Sequence, residues 1–171
     1  LFNLPLAGST FKKVYYDELM QRAVSKFVPA DDLIVPYTAT SLDDTESIIH
    51  VVRMTENELR KQQVGGFYRD IEVNPSYLDE TEVEKKQRSL EGVTKGRDDR
   101  MFSILECHVD IDLEGFEDVG QNGEPTGIKL PYIVTLEEGT RKILSIRRNY
   151  EVGDPLKKKI NYFVHFKFLP G

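Results

Sequence analysis

A single cysteine, Cys107, serves the whole chain of 171 residues. One thiol cannot build an internal disulfide framework, and it excludes every zinc site that needs paired cysteines. Cys107 falls among apolar residues at an odd position of an alternating pattern. The expectation there is a buried structural thiol, because free cysteine behaves as a small hydrophobe. A reducing compartment suits it.

Long apolar runs are also missing. None approaches the roughly 20 residues that span a bilayer, and the opening LFNLPLAGST carries no signal-peptide pattern. No GxSxG or HExxH signature occurs, and the glycines at 120, 123 and 127 do not sit between a strand and a helix, so there is no phosphate loop. The formal net charge of −6 argues against general affinity for nucleic acid, although local patches remain open. The chain is nevertheless 39% hydrophobic and 30% charged, enough to bury a core. One compact domain is expected. Because the sequence starts at Leu1 rather than Met and stops at Pro170-Gly171 after a strand-like run, it reads as a piece of a longer polypeptide.

The pattern of what is present predicts an α+β fold, mostly an antiparallel β meander with one or two short helices. In the N-terminal part, residues 1–100, FKKVYY (11–16) and VSKFV (24–28) read as short strands joined by a polar loop. LIVPY (33–37) reads as a third, with Pro36 placing it at an edge or strand end. SIIHVVRM (47–54) is rich in β-branched residues and reads as a fourth. Thr55 and Glu58 then form a capping box, which starts a helix that Gly65-Gly66 ends. That helix is expected to pack through Leu59 and Val64. Asn74-Pro75 predicts a second helix over 76–91, and 92–100 is a polar connector. From Met101 the strands lengthen: 102–113, 128–136, 141–150 and 160–169, predicted as a four-stranded meander over 101–171. GFEDVGQNGEPTG (115–127) reads as a long loop rich in glycine and acid, and GQNGEPTG within it as a flexible turn. Glu137-Glu138-Gly139-Thr140 reads as a hairpin tip with glycine at a positive φ.

The candidate chemistry lies in LECHVDIDLEG (105–115). Odd residues are apolar, whereas Glu106, His108, Asp110 and Asp112 occupy the even positions and point to the other face of a strand. His108, Asp110 and Asp112 could ligate Zn, Fe or Mn if the strand bent or another element completed the set. The plainer expectation is the solvent-facing or neighbour-facing side of a strand. His50 and His165 sit within apolar runs, and the expectation for both is half-buried strand histidines. No catalytic, cofactor-binding or metal residue is assigned.

Charge is divided along the chain. Residues 101–127 hold seven acids and no base, whereas 128–171 hold nine bases and four acids. Such a division serves either cross-strand pairing within the sheet or contact between neighbouring copies in a heterologous ring. Lys157-Lys158-Lys159 could also touch a polyanion.

Four segments carry a family likeness: KFVPADDLIVPYTATSL (26–42), IIHVVRMTENELRKQ (48–62), LPYIVTLEEGTRKILSIRRNYEVGDP (130–155) and YFVHFKFLPG (162–171). In order and wording they resemble the portal proteins of tailed bacteriophages, especially the short-tailed kind. The resemblance implies a wing-region piece of a non-enzymatic structural subunit. Such subunits form a ring, typically dodecameric, at one capsid vertex. They need no cofactor or metal. The implied partners are further copies of the chain, capsid and scaffold proteins, the terminase and a tail adaptor. Double-stranded DNA passes through the channel without sequence specificity, and no membrane is involved. The implied location is the virion, and the host cytoplasm during assembly. Two other readings stay open. One is a metal-binding or metal-dependent enzyme domain using His108, Asp110 and Asp112. The other is a generic β-rich adaptor module.

Overall fold

Alternating apolar and polar residues build most of the structure, a computed structural model that describes residues 9–17, 21–43, 45–73, 101–120 and 122–167. The fold is α+β and mostly antiparallel sheet. Eight strands are present among the described residues: β1 (Ser9–Asp17), β2 (Arg22–Val28), β3 (Leu33–Ile34), β4 (Ser47–Thr55), β5 (Met101–Ile111), β6 (Leu130–Glu137), β7 (Ile143–Arg148) and β8 (Phe163–Lys167). A 3-10 turn covers Ala30–Asp32, and one helix, α1, covers Glu56–Val64. The predicted helix over 76–91 and the connector 92–100 lie outside the described residues.

The strands form two sheets, one ordered β2-β1-β8 and the other β3-β4-β5-β6-β7. The meander therefore consists of β5, β6 and β7. The expected fourth strand forms over Phe163–Lys167 but pairs antiparallel with β1, Phe11 opposite His165. Alternation reveals that a segment is a strand, but not which edge it joins. The turns after β7 carry the chain away from the meander. Leu33 and Ile34 pair with His50 and Ile49, and β3 is an edge strand. That position suits Pro36 just beyond its end, since proline offers no N–H to a ladder.

The chain divides into two compact units. Unit 1 contains Leu1–Val51, Cys107–Val134 and Ile146–Gly171; unit 2 contains Val52–Glu106 and Thr135–Ser145. Each has its own core. In unit 1, Val28, Leu33, Ile48 and Phe163 are buried together, with Phe11, Leu42 and Tyr162 packed against them. In unit 2, Met54, Leu59, Phe102, Ile104 and Leu144 are buried, with Val52, Tyr68, Ile71 and Val73 at their margin. Fully burying one such aliphatic or phenyl side chain contributes roughly 1.5–3 kcal/mol.

Helix α1 begins as the capping box requires. Thr55 Oγ1 accepts from the Glu58 N–H at 3.3 Å, and the Glu58 carboxylate accepts from the Thr55 N–H at 2.8 Å. Only Leu59 of this helix is buried. Val64, expected to pack, is 77% exposed because it lies in the last turn, off the stripe that Leu59 defines. The left-handed step after the helix falls at Gly66, with φ 76°, and not at Gly65. The chain then returns to the unit 2 core, where Arg69 N–H donates to the Leu144 carbonyl at 2.8 Å and Lys142 Nζ to the Glu72 carbonyl at 2.7 Å.

The β6–β7 tip also differs from expectation. The left-handed residue is Arg141, with φ 55°, not Gly139. Glu137 is the cause. Its side chain is fully buried, and its carboxylate accepts from the N–H of Gly139 at 2.8 Å and of Thr140 at 2.6 Å, and from the Thr140 hydroxyl. Holding those two amides fixes the first part of the turn. The chain reverses one step later, where Arg141 N–H meets the Glu137 carbonyl at 2.8 Å.

Candidate functional site

The even face of β5 is the buried one, contrary to the expectation of a wet surface. Phe102, Ile104, Glu106 and His108 are all buried, whereas Leu105, Cys107 and Val109 are only half-buried. A strand inside a sheet can be covered on both faces, and then a polar side chain is buried wherever it finds a partner. Glu106 and His108 both have such interactions. Cys107 is at intermediate exposure rather than a member of either core.

His108, 3% exposed, lies edge-on to Phe163 with ring centroids 5.2 Å apart and to Tyr162 at 5.6 Å. His50 approaches Phe163 edge-on at 5.5 Å. Phe163 of β8 thus sits between two imidazoles. His165 stacks on Phe11, its cross-strand partner, at 4.6 Å with an interplanar angle of 22°. Burial, helped by the nearby Lys167 charge, pushes the His165 pKa below the usual histidine value. All three histidines therefore pack against rings of the unit 1 sheets, as Phe or Tyr would. His50 and His165 are half-buried, as expected.

The row His108, Asp110, Asp112 does not converge. Asp112 is exposed beyond the end of β5. Asp110 is half-buried, and its Oδ1 has no hydrogen-bond partner. Among the described residues, no three histidine, cysteine, aspartate or glutamate side chains cluster as a metal site would need.

The acidic stretch after β5, expected as a long loop, forms a small hairpin through its described residues. Val119 bridges Pro125, Gly120 N–H donates to the Glu124 carbonyl at 2.9 Å, and Thr126 N–H donates to the Asp118 carbonyl at 2.8 Å. Gly123 supplies the positive φ of 76° at its tip. Asp118 anchors this hairpin to the basic part of unit 1 through an ion pair with Lys157. The Lys157 ammonium first, then the Thr126 hydroxyl at 2.7 Å, holds the Asp118 carboxyl below the usual aspartate range; the same contact raises Lys157. Tyr132 Oη donates to the Phe116 carbonyl at 3.1 Å and fixes the near end.

The lysine triplet is correspondingly occupied. Lys157 is tied to Asp118, and Lys159 Nζ donates to the Thr45 carbonyl at 2.8 Å. Asp154 accepts from the backbone N–H groups of Leu156 and Lys158, which lower its pKa. Lys158 alone of the three is left exposed without such a tie, so the triplet is a structural corner rather than a polyanion cradle.

What sequence reasoning did not find is an apolar outer face on the sheet β2-β1-β8. Val14, Tyr16, Phe27, Val164 and Phe166 are all exposed there. Alternation within FKKVYY and FVHFK contained the signal, because both strands carry large apolar residues at both parities. Among the described residues, no helix is long and apolar enough to cross a membrane.

No protein-family model matches the sequence, and no curated protein matches it.

Proposed function

We propose that the chain is part of the wing of a bacteriophage portal subunit, a structural and non-enzymatic component of the ring through which genome DNA enters and leaves the capsid. The observation that carries this reading is where the portal-like segments fall. The first runs through β2, the 3-10 turn and β3; the second through β4 and α1; the third through the β6–β7 hairpin and the Asp154 turn; the fourth contains β8. These elements supply most of the buried side chains of both cores. A likeness concentrated in core-forming elements is a likeness of fold-determining sequence rather than of loop composition.

Two further features support it. Among the described residues, His108, Asp110 and Asp112 do not gather with other ligands as the rival metal-site reading would need. The exposed apolar side chains lie mainly on unit 1, as a subunit built to meet neighbours requires. On this reading the ring stands at a capsid vertex, assembles in the host cytoplasm, and contacts capsid and scaffold proteins, the terminase and a tail adaptor. DNA slides past a net acidic wall without base-specific contact. Electron microscopy of the full-length protein tests the proposal. A ring with a central channel is expected; particles of any other form would sink it.

A further inference from the structure

All three histidines of the chain are gathered where β8 meets the rest of unit 1. His50 and His108 approach Phe163 edge-on, at 5.5 and 5.2 Å between ring centroids. His165, two residues further along β8, stacks on Phe11 of β1 at 4.6 Å. β8 is a sheet edge, and within its sheet it pairs with β1 alone. That ladder joins five positions, Ser9–Lys13 with Phe163–Lys167, whereas β1 and β2 are joined at seven, Phe11–Asp17 with Arg22–Val28. Alternation points Phe163 and His165 inward, with Lys167 at the strand end on the same side. Val164 and Phe166 point outward and stay exposed, so they add little to the hold. Beyond its backbone ladder, β8 is therefore kept in place by one phenyl ring and one imidazole.

The charges on that inward side are mostly positive. Lys167 lies two residues beyond His165 on β8, Lys13 lies opposite Phe163 on β1, and Lys26 lies opposite Lys13 on β2. Lys13 Nζ is 5.9 Å from the Phe163 ring centroid. The one acid in these three strands is Asp17, opposite Arg22 at the far end of the ladder. Its separation from Phe11 along β1 is roughly 20 Å at about 3.4 Å per residue, and a charge at that range is screened. From β4 and β5, the rings that meet Phe163 are His50 and His108, and Glu106 and Asp110 share the face of His108 on β5. Stacking on Phe11 favours an imidazolium. Burial first, and then the Lys167 charge, oppose it and prevail, since the His165 pKa lies below the usual histidine value.

We propose that β8 is an acid-released strand: when His165 takes up a proton, β8 leaves β1, while β1 stays paired with β2 and the β5-β6-β7 meander stays closed. Once released, His165 regains water and distance from Lys167 and Lys13, so opening draws in one proton. The strand is fully held above the free histidine value of about 6.5. Opening grows as pH falls from there to the lower value of the closed sheet, and levels off below it. One proton changes an opening constant by at most about tenfold per pH unit. Release bares Phe11, Phe163 and the edge of β1 that β8 had paired. The device needs no neighbouring copy and goes beyond the portal proposal.

Hydrogen–deuterium exchange of this chain, at steps between about pH 7.5 and 5 and corrected for the intrinsic pH dependence of amide exchange, tests it. Amides of β8 are expected to open more often as pH falls below about 6.5, by up to about tenfold per pH unit, while those of β6 and β7 hold. His165→Phe keeps a ring on Phe11 and removes the proton, and its β8 exchange is expected to lose the pH dependence. Lys167→Gln removes the nearby charge and is expected to shrink the gain in opening at low pH; it serves as the readout should the phenylalanine variant fail to fold. Exchange in β8 that does not change with pH would overturn the proposal. So would equal acceleration in β8 and in the β6–β7 hairpin, which would mean that the whole fold loosens. A His165→Phe protein that keeps the wild-type slope would place the proton elsewhere and overturn it too, as would a Lys167→Gln protein whose gain is no smaller than that of the wild type.

Discussion

Unit 1 and unit 2 solve the same problem with different residues. The unit 2 core is aliphatic apart from Phe102 and marginal Tyr68, and its surface exposes few large apolar side chains, Val64 and Ile143 among them. Unit 1 packs imidazoles against phenyl and phenol rings, and exposes apolar residues on a sheet face and on a hairpin. Unit 2 has buried what it needs for its own stability. Unit 1 has apolar surface left over, and unit 2 has little.

The sharpest test of that contrast is to empty each core in turn. Phe163→Ala removes the ring that His50 and His108 both touch, and is expected to cost about 3–5 kcal/mol in urea unfolding. Leu144→Ala in unit 2 is expected to cost about 2–5 kcal/mol, toward the upper end because the site is fully enclosed. Hydrogen exchange would then show faster opening chiefly in the unit that was altered. If both substitutions loosened the same amides equally, the division into two cores would be lost.

A smaller effect is expected at the unit 2 hairpin. Glu137→Gln turns one of the accepting oxygens into a donor facing the amides of Gly139 and Thr140, at a cost of about 1–3 kcal/mol. Thr55→Ala removes half of the capping box and is expected to cost about 1 kcal/mol in thermal melting, with the rest of the chain unchanged. The smallest effect belongs to unit 1 and to pH. His165 has a lowered pKa in the fold, so the folded state favours its neutral form. Stability is complete above the free histidine value of about 6.5 and falls as pH drops through the lower folded value. Melts between about pH 7 and 5 should show this slope, and His165→Phe should flatten it while keeping the stack on Phe11.

Much of the fold was legible where local chemistry decides it. The capping box at Thr55, the β-branched run of β4 and the paired strands β1 and β2 all follow from neighbours in sequence. Three features needed distant information. The even face of β5 looked wet because Glu106, His108 and Asp110 are polar, yet Phe102 and Ile104 share that face and already announced a buried surface. Gly139 seemed the obvious left-handed residue until the buried Glu137 carboxylate took its amide and moved the reversal to Arg141. The partner of β8 is set by a strand far from it in sequence, which no local pattern encodes. The candidate surface was hidden for the same reason: its residues share a face only once β1 has β2 and β8 beside it.

The pairing of β1 with β8 also has a consequence in time. The β6–β7 hairpin closes through contacts a few residues apart, and such local contacts form early. The sheet that joins Phe11 to His165 closes a loop spanning most of the chain, and contacts of that separation form late. A ribosome-bound chain whose β8 has not yet emerged can pair β1 with β2 alone, and Phe11 waits without the His165 ring that stacks on it in the finished sheet.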